Sequence, residues 1–187
     1  MGRLLGDPIF LGEFMCNSQE MKFYTVNTNY LNKLREIDNR VPLNKEFVGN
    51  KKKSRPYIGV MLKIDGVEYL VPLTSKTTRK ASYVNYPIRD KESKKIAFLM
   101  INNMLPVPEK YRTELNMEGK LATDPQYYDL LLNEINYLRP KKTTIIKRCE
   151  DVRAVKVKGE NRATIGERVS NYCLPLDKLE EIYNDSL

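Results

Sequence analysis

The chain has 187 residues, 41% of them hydrophobic and 30% charged, which suits one well-filled core and leaves two domains cramped. Its formal net charge is +8 and its pI about 9.3, a balance that favours an anionic partner: nucleic acid first, an acidic protein or a membrane surface second. The complete absence of histidine excludes histidine-ligated zinc, Ser-His-Asp hydrolysis and a two-histidine ribonuclease mechanism. Cys16, Cys149 and Cys173 are scattered without metal-ligand spacing and point to a reducing cytoplasm. No apolar run approaches a membrane span. Twelve Tyr and five Phe offer flat surfaces on which unpaired bases can stack.

Residues 1–20 lack periodicity, contain Gly6-Asp7-Pro8 and precede Met21. They read as a leader or weakly structured extension, which leaves 21–187 as a single domain. Lys22 to Val26 has strand composition. Asn27 or Thr28 can cap a helix whose apolar positions are Tyr30, Leu31, Leu34 and Ile37, ending at Val41-Pro42. Residues 43–55 form a polar loop ending in Lys51, Lys52, Lys53 and Arg55, either solvated or facing an anion. From Pro56 to Lys80 two β-rich runs flank Asp65-Gly66, the pair a type I′ hairpin turn requires. The second run is expected to leave the sheet at Pro72 and deliver Thr74, Ser75 and Lys76, with Arg79 and Lys80 behind.

Residues 77–93 read as a turn-rich linker. Lys95 to Asn102 is a nearly continuous apolar run, expected as a central strand buried on both faces. Asp124-Pro125 starts a helix with Tyr128, Leu131, Leu132, Ile135 and Leu138 inward, stopped by Pro140. Lys142 to Lys158 predicts a second helix with Ile145, Cys149, Val152 and Val155 inward. Its Lys147, Arg148, Arg153, Lys156 and Lys158 would lie outside or on the flanks, as a solvated face or an RNA groove. Pro175-Leu176-Asp177 opens a last short helix. Together these elements predict an α+β domain, an antiparallel sheet surrounded by helices.

Cleaving RNA requires a 2′-hydroxyl to lose a proton, a phosphorane to be stabilised and a 5′-oxygen to be protonated. Without histidine, Lys, Tyr, a carboxylate or a hydroxyl polarised by a cation must serve. Thr74, Ser75 and Lys76 can aim hydrogen bonds and charge at the phosphorane. Arg55 offers a bidentate fork, and Tyr30 lies on the first helical turn. No metal-ligand set is visible, so the economical mechanism uses neither metal nor cofactor.

Met21-Lys22-Phe23-Tyr24-Thr25, then Tyr30-Leu31 and Leu34-Arg35-Glu36-Ile37-Asp38, resemble the opening of the ToxN/AbiQ family, the endoribonuclease toxins of type III toxin–antitoxin and phage abortive-infection systems. Val41-Pro42, Tyr57-Ile58-Gly59-Val60, Tyr69 to Ser75, Ile101 to Val107 and Leu179 to Tyr183 continue the match in order. The resemblance implies a compact, twisted antiparallel sheet similar to the Kid/MazF toxin fold. It also implies metal-independent cleavage of A-rich cellular or phage mRNA, leaving 2′,3′-cyclic phosphate and 5′-hydroxyl ends. The inhibitor it implies is an RNA: a repeat pseudoknot that the toxin cuts from a precursor and that holds it in a closed toxin–RNA hetero-oligomer. The site residues it implies are Tyr30, Arg55, Thr74, Ser75 and a lysine. Family members often carry lysine where Arg55 stands, and their active-site lysine follows Thr-Ser after one intervening residue. Here Lys76 follows directly, so Lys76 and Lys80 both remain candidates.

The sequence thus predicts a cytoplasmic endoribonuclease with Tyr30, Arg55, Thr74, Ser75 and Lys76 in its site. Lys51, Lys52, Lys53, Arg79, Lys80, Lys147 and Arg148 would contact RNA. The alternatives are a non-catalytic basic RNA-binding module and a basic adaptor for an acidic protein.

Overall fold

A computed structural model describes residues 20–44 and 57–187. The expectations for a leader over 1–20, apart from Glu20, and for Lys51, Lys52, Lys53 and Arg55 lie outside the described residues.

Strand β1 (Phe23–Val26) leads into helix α1 (Thr28–Ile37). Asn27 is the cap: its side-chain oxygen accepts from the backbone N–H of Asn29 at 2.9 Å and of Tyr30 at 3.3 Å, satisfying donors that the first helical turn leaves unpaired. Tyr30, Leu31 and Leu34 are buried, whereas Ile37 is exposed. The helix stops at Ile37, before Val41-Pro42. Asp38 takes an extended backbone, and its carboxylate accepts instead from the N–H and guanidinium of Arg40, a local bond that competes with continuing the helix.

Strands β2 (Ile58–Ile64) and β3 (Val67–Thr74) form the expected hairpin. Its turn residues Asp65 and Gly66 have φ of 49° and 86°, the left-handed conformation that a two-residue turn demands. Contrary to expectation, β3 does not leave the sheet at Pro72. It runs on to Thr74, and Pro72 sits where the outer edge changes partner, from β6 (Leu105–Pro106) at Tyr69 and Leu70 to β5 (Lys95–Met100) at Leu73 and Thr74. A residue without an N–H interrupts a ladder least at such a break. Opposite it, Gly59 has no room for a side chain: a Cβ there would lie 2.5 Å from the carbonyl oxygen of Val71.

The supposed linker contains a strand, β4 (Asn85–Arg89). Pro87 disguised it, and is tolerated because β4 is the edge of the sheet. The sheet is antiparallel in the order β4-β5-β3-β2-β1-β7, with β6 also pairing β3 and β7 (Arg112–Glu114) beside β1. β5 lies between β4 and β3, buried from Ala97 to Met100 and half-buried at Lys95 and Ile96.

The helices that follow are α2 (Met117–Thr123), α3 (Pro125–Leu138), α4 (Lys142–Val157), α5 (Glu167–Tyr172) and α6 (Leu176–Asn184). α3 is capped by Asp124, as Asp124-Pro125 predicts. Leu131, Leu138, Ile145, Cys149, Val152 and Leu179 close the core against the sheet. One residue of α4 departs from the expected pattern. Arg153, placed outside or on the flanks by spacing, is only 9% exposed. Its guanidinium meets Glu180 at 2.7 Å and Asp65 at 2.9 Å and donates to the hydroxyl of Tyr69 at 3.2 Å, while Tyr69 in turn donates to Glu180. A buried cation needs such partners, and they come from two distant parts of the chain, the β2–β3 hairpin and α6. The fold is α+β, and no helix among the described residues is long and apolar enough to cross a membrane.

Candidate active site

Antiparallel pairing decides what meets at the end of the sheet. Thr25 pairs Ile58, and Gly59 pairs Pro72. The end of β1, the start of β2 and the end of β3 therefore lie together, and with them the first turn of α1 and the segment Thr74-Ser75-Lys76. Asn44 fastens this corner. Its amide nitrogen donates to the carbonyl of Val26 at 2.9 Å and the hydroxyl of Thr28 at 3.1 Å, and its oxygen accepts from the N–H of Tyr57 at 3.1 Å. Both flanks of residues 45–56, the segment that carries Lys51, Lys52, Lys53 and Arg55, are thereby anchored at the hydroxyl end of the hairpin.

Thr74 is the last residue of β3 and is half-buried; Ser75 and Lys76 are exposed. The Lys76 N–H donates to the Thr74 hydroxyl at 3.4 Å, and the Arg79 N–H to the Lys76 carbonyl at 3.5 Å. The chain thus leaves extended geometry at Ser75 and folds into a turn. Strict alternation of side chains ends with the strand, so the missing spacer before Lys76 does not invert its direction as it would inside one. Lys76, Arg79 and Lys80 are all exposed on this turn, and none of them forms an ion pair among the described residues.

Tyr30, on the first turn of α1, turns its side chain into the core. It is fully buried, its hydroxyl donates to the carbonyl of Pro106 at 2.9 Å, and its ring stacks on Tyr111 with centroids 4.5 Å apart. Burial pushes its hydroxyl pKa well above that of an ordinary tyrosine, with the neighbouring Tyr111 adding to the shift.

Lys147 and Arg148 belong to another surface. In register, Thr74 sits beside Phe98 and Pro87, whereas Leu73 sits beside Leu99 and Tyr86; adjacent pairs point to opposite faces. Arg148 stacks over the Tyr83 and Tyr86 rings at 4.9 and 4.8 Å and donates to the carbonyls of Ser82 and Tyr83. It therefore lies on the face away from Thr74. Lys147 pairs with Asp151 at 3.0 Å, and Asp151 also accepts from the Tyr83 hydroxyl and from Arg162 at 3.1 Å. Burial works to raise the pKa of Asp151, but the hydrogen bonds from Tyr83 and Lys147 outweigh it and hold the carboxyl below its ordinary value. Sequence reasoning missed Tyr83, Tyr86 and Asp151. The i,i+4 spacing of Lys147 and Asp151 is the signal that could have found the last.

A family model described as toxin ToxN of type III toxin–antitoxin systems matches residues 22–184. The chain is 38% identical over 169 residues to an endoribonuclease ToxN of Bacillus thuringiensis subsp. kurstaki, covering 89% of this chain and 84% of that protein. It superposes with a TM-score of 0.75 and 37% identity on a solved structure from work on selective toxin inhibition by a non-coding RNA pseudoknot in type III systems, covering 89% of this chain and 98% of that one. It shares its fold, at a TM-score of 0.70 and 20% identity, with AbiQ, a lactococcal anti-phage endoribonuclease of a type III system, over 89% of this chain and 97% of that one. The family-model match over most of the chain and the 38% identity to a ToxN relative place the chain in the ToxN family of type III toxin–antitoxin toxins.

Proposed function

We propose that this chain is an endoribonuclease toxin that is inhibited by a structured RNA antitoxin. The observation that carries the reading is the meeting, at one end of the sheet, of exposed hydroxyls and cations with the anchored flanks of a strongly basic segment. The ToxN relative of Bacillus thuringiensis, named as an endoribonuclease, supports it further. In the reaction, the 2′-oxygen attacks phosphorus, the P–O5′ bond breaks, and the products carry a 2′,3′-cyclic phosphate and a 5′-hydroxyl. Thr74 and Ser75 orient the scissile phosphate and donate to its oxygens as negative charge grows. Lys76 and Arg55 neutralise that charge, and a lysine of the turn moves the proton; donors aimed at developing charge are each worth roughly 10²–10³ in rate. A tyrosine hydroxyl that is buried and given to a backbone carbonyl is unsuited to proton transfer, so Tyr30 acts as a positioning residue.

The same reading includes A-rich cellular or phage mRNA as substrate, a pseudoknot repeat that the toxin cuts and is then held by in a closed hetero-oligomer, and a cytoplasmic site of action. It also includes a Kid/MazF-like core. The Arg112–Glu68 ion pair at 2.8 Å, which ties β7 to the far strand β3, is consistent with a sheet coiled tightly enough for that likeness.

The test is single-turnover cleavage by purified protein freed of RNA. Ser75→Ala is expected to lower the rate by roughly 10²-fold or more while leaving RNA affinity and its salt dependence unchanged. Cleavage by Ser75→Ala at the wild-type rate would sink the catalytic assignment. RNA binding without any cleavage by wild type would turn the chain into a non-catalytic binding module.

A further inference from the structure

On the opposite face from Thr74, the first turns of α4 and the loop before β4 flank an open cleft of about 400 Å³ lined by Tyr83, Thr143, Thr144, Lys147 and Arg148, within the range of roughly 300–1,000 Å³ typical of small-ligand sites. Its walls combine an aromatic ring, a guanidinium, an ammonium and two exposed threonine hydroxyls. Such a set matches a nucleotide: a flat base for the ring and guanidinium, a phosphate for the ammonium and hydroxyls. We infer that this cleft is a second RNA subsite, remote from the cleavage centre, that takes one unpaired nucleotide by stacking its base on the Tyr83 ring beside Arg148 and pairing its phosphate with Lys147. The inference rests on the RNA reading above and adds to it a place and a mode of contact.

Three observations support it beyond the lining. The platform is fixed before any ligand arrives: Arg148 is held between two tyrosine rings and by two backbone carbonyls, and the Tyr83 hydroxyl is held by Asp151. Binding there orders little that is not already ordered, which is where affinity is otherwise lost. The surroundings are net positive, because Lys147, Arg148 and Arg162 outnumber the carboxylates of Asp151 and Glu160 that pair with them. Finally, bracing α4 against β4 accounts for the Arg148 stack alone. It requires neither the open cleft nor Lys147, whose side chain remains 59% exposed despite its bond to Asp151.

The experiment is equilibrium binding of a fluorescent single-stranded 2′-O-methyl oligoadenylate, which lacks the attacking hydroxyl, across a series of salt concentrations. Tyr83→Leu is expected to weaken binding roughly 5- to 150-fold, as loss of one base stack does, without changing the salt slope, and Tyr83→Phe, which keeps the ring, is expected to restore it. Lys147→Gln, an exposed change that leaves the core intact, is expected to flatten the slope by about 0.7, the value for one phosphate of a single strand. Wild-type affinity in Tyr83→Leu, or an unchanged slope in Lys147→Gln, overturns the subsite while leaving the endoribonuclease reading standing. Failure of the wild-type protein to bind the oligonucleotide at all overturns the RNA reading and the subsite together. A photo-crosslink from a single iodouridine in the strand gives an independent readout: capture of Tyr83 supports the subsite, and capture confined to residues 73–80 overturns it.

Discussion

Tyr30 shows how one buried hydroxyl limits chemistry. The family resemblance puts it among the site residues, yet its proton is already committed to the Pro106 carbonyl and its ring to Tyr111. Removing only the hydroxyl is therefore a test of role. Tyr30→Phe removes the hydrogen bond to the Pro106 carbonyl, at a cost of about 1 kcal/mol, the size of an ordinary buried hydrogen bond. Its cleavage rate is expected to stay within a few-fold of wild type. A melt and a single-turnover assay on the same preparation check both parts; a hundred-fold loss of rate in a fully folded Phe variant would return Tyr30 to the chemistry. Arg153 makes the complementary point. Its helical spacing gave no hint of burial, because the groups that hold it, Asp65, Tyr69 and Glu180, are far away in sequence.

Among the elements, those whose ends are set by local chemistry were legible. Asp65-Gly66 announced the hairpin, Asn27 the start of α1, and Asp124-Pro125 the start of α3, since caps and tight turns depend on residues within a few positions of one another. The elements that were missed depend on position in the sheet. β4 reads as a linker until its place at the edge explains how it tolerates Pro87, and β3 reads as ending at Pro72 until the change of partner beside it is known. α2 and α5 are too short to show a period. The candidate site divides in the same way. Thr74, Ser75 and Lys76 stood out as a cluster in the chain, while the Tyr83–Arg148–Tyr86 stack exists only once α4 is laid beside β4. At this scale the charge cluster between hairpin and helices has a measurable weight. Glu180→Ala leaves the Arg153 guanidinium buried with an incomplete set of partners and is expected to cost about 3–5 kcal/mol, read as a lower denaturation midpoint. A change below about 1 kcal/mol would show the cluster to be dispensable.

For the molecule as a whole, the carboxylates dictate the response to acid. Asp38 is held below the ordinary carboxylate value by hydrogen bonds from Arg40, and Asp65 by those from Lys158. Asp151 is pushed up by burial but pulled further down by Tyr83 and Lys147. A folded-state pKa below the unfolded one gives stability that is fully present above the unfolded value of roughly 3.9 and is lost as pH falls through the lower folded values. Unfolding free energy is therefore expected to be flat from neutrality down to about pH 5 and to fall steeply below pH 4. Asp151→Asn should flatten that fall, and an equal acid slope in the variant would assign the loss elsewhere. Salt acts on the other property of the molecule, its excess of cations, and weakens RNA binding far more than it weakens the fold.

The bond between Tyr69 and Glu180 spans 111 residues, and it also sets an order of events during synthesis. The hairpin that carries Thr74 and Ser75 leaves the ribosome early, but the carboxylate that neutralises Arg153 beneath it arrives only with α6. Until then Arg153 has only Asp65 and Tyr69 of the hairpin for partners, and the set that seats the hairpin on the helices is completed last.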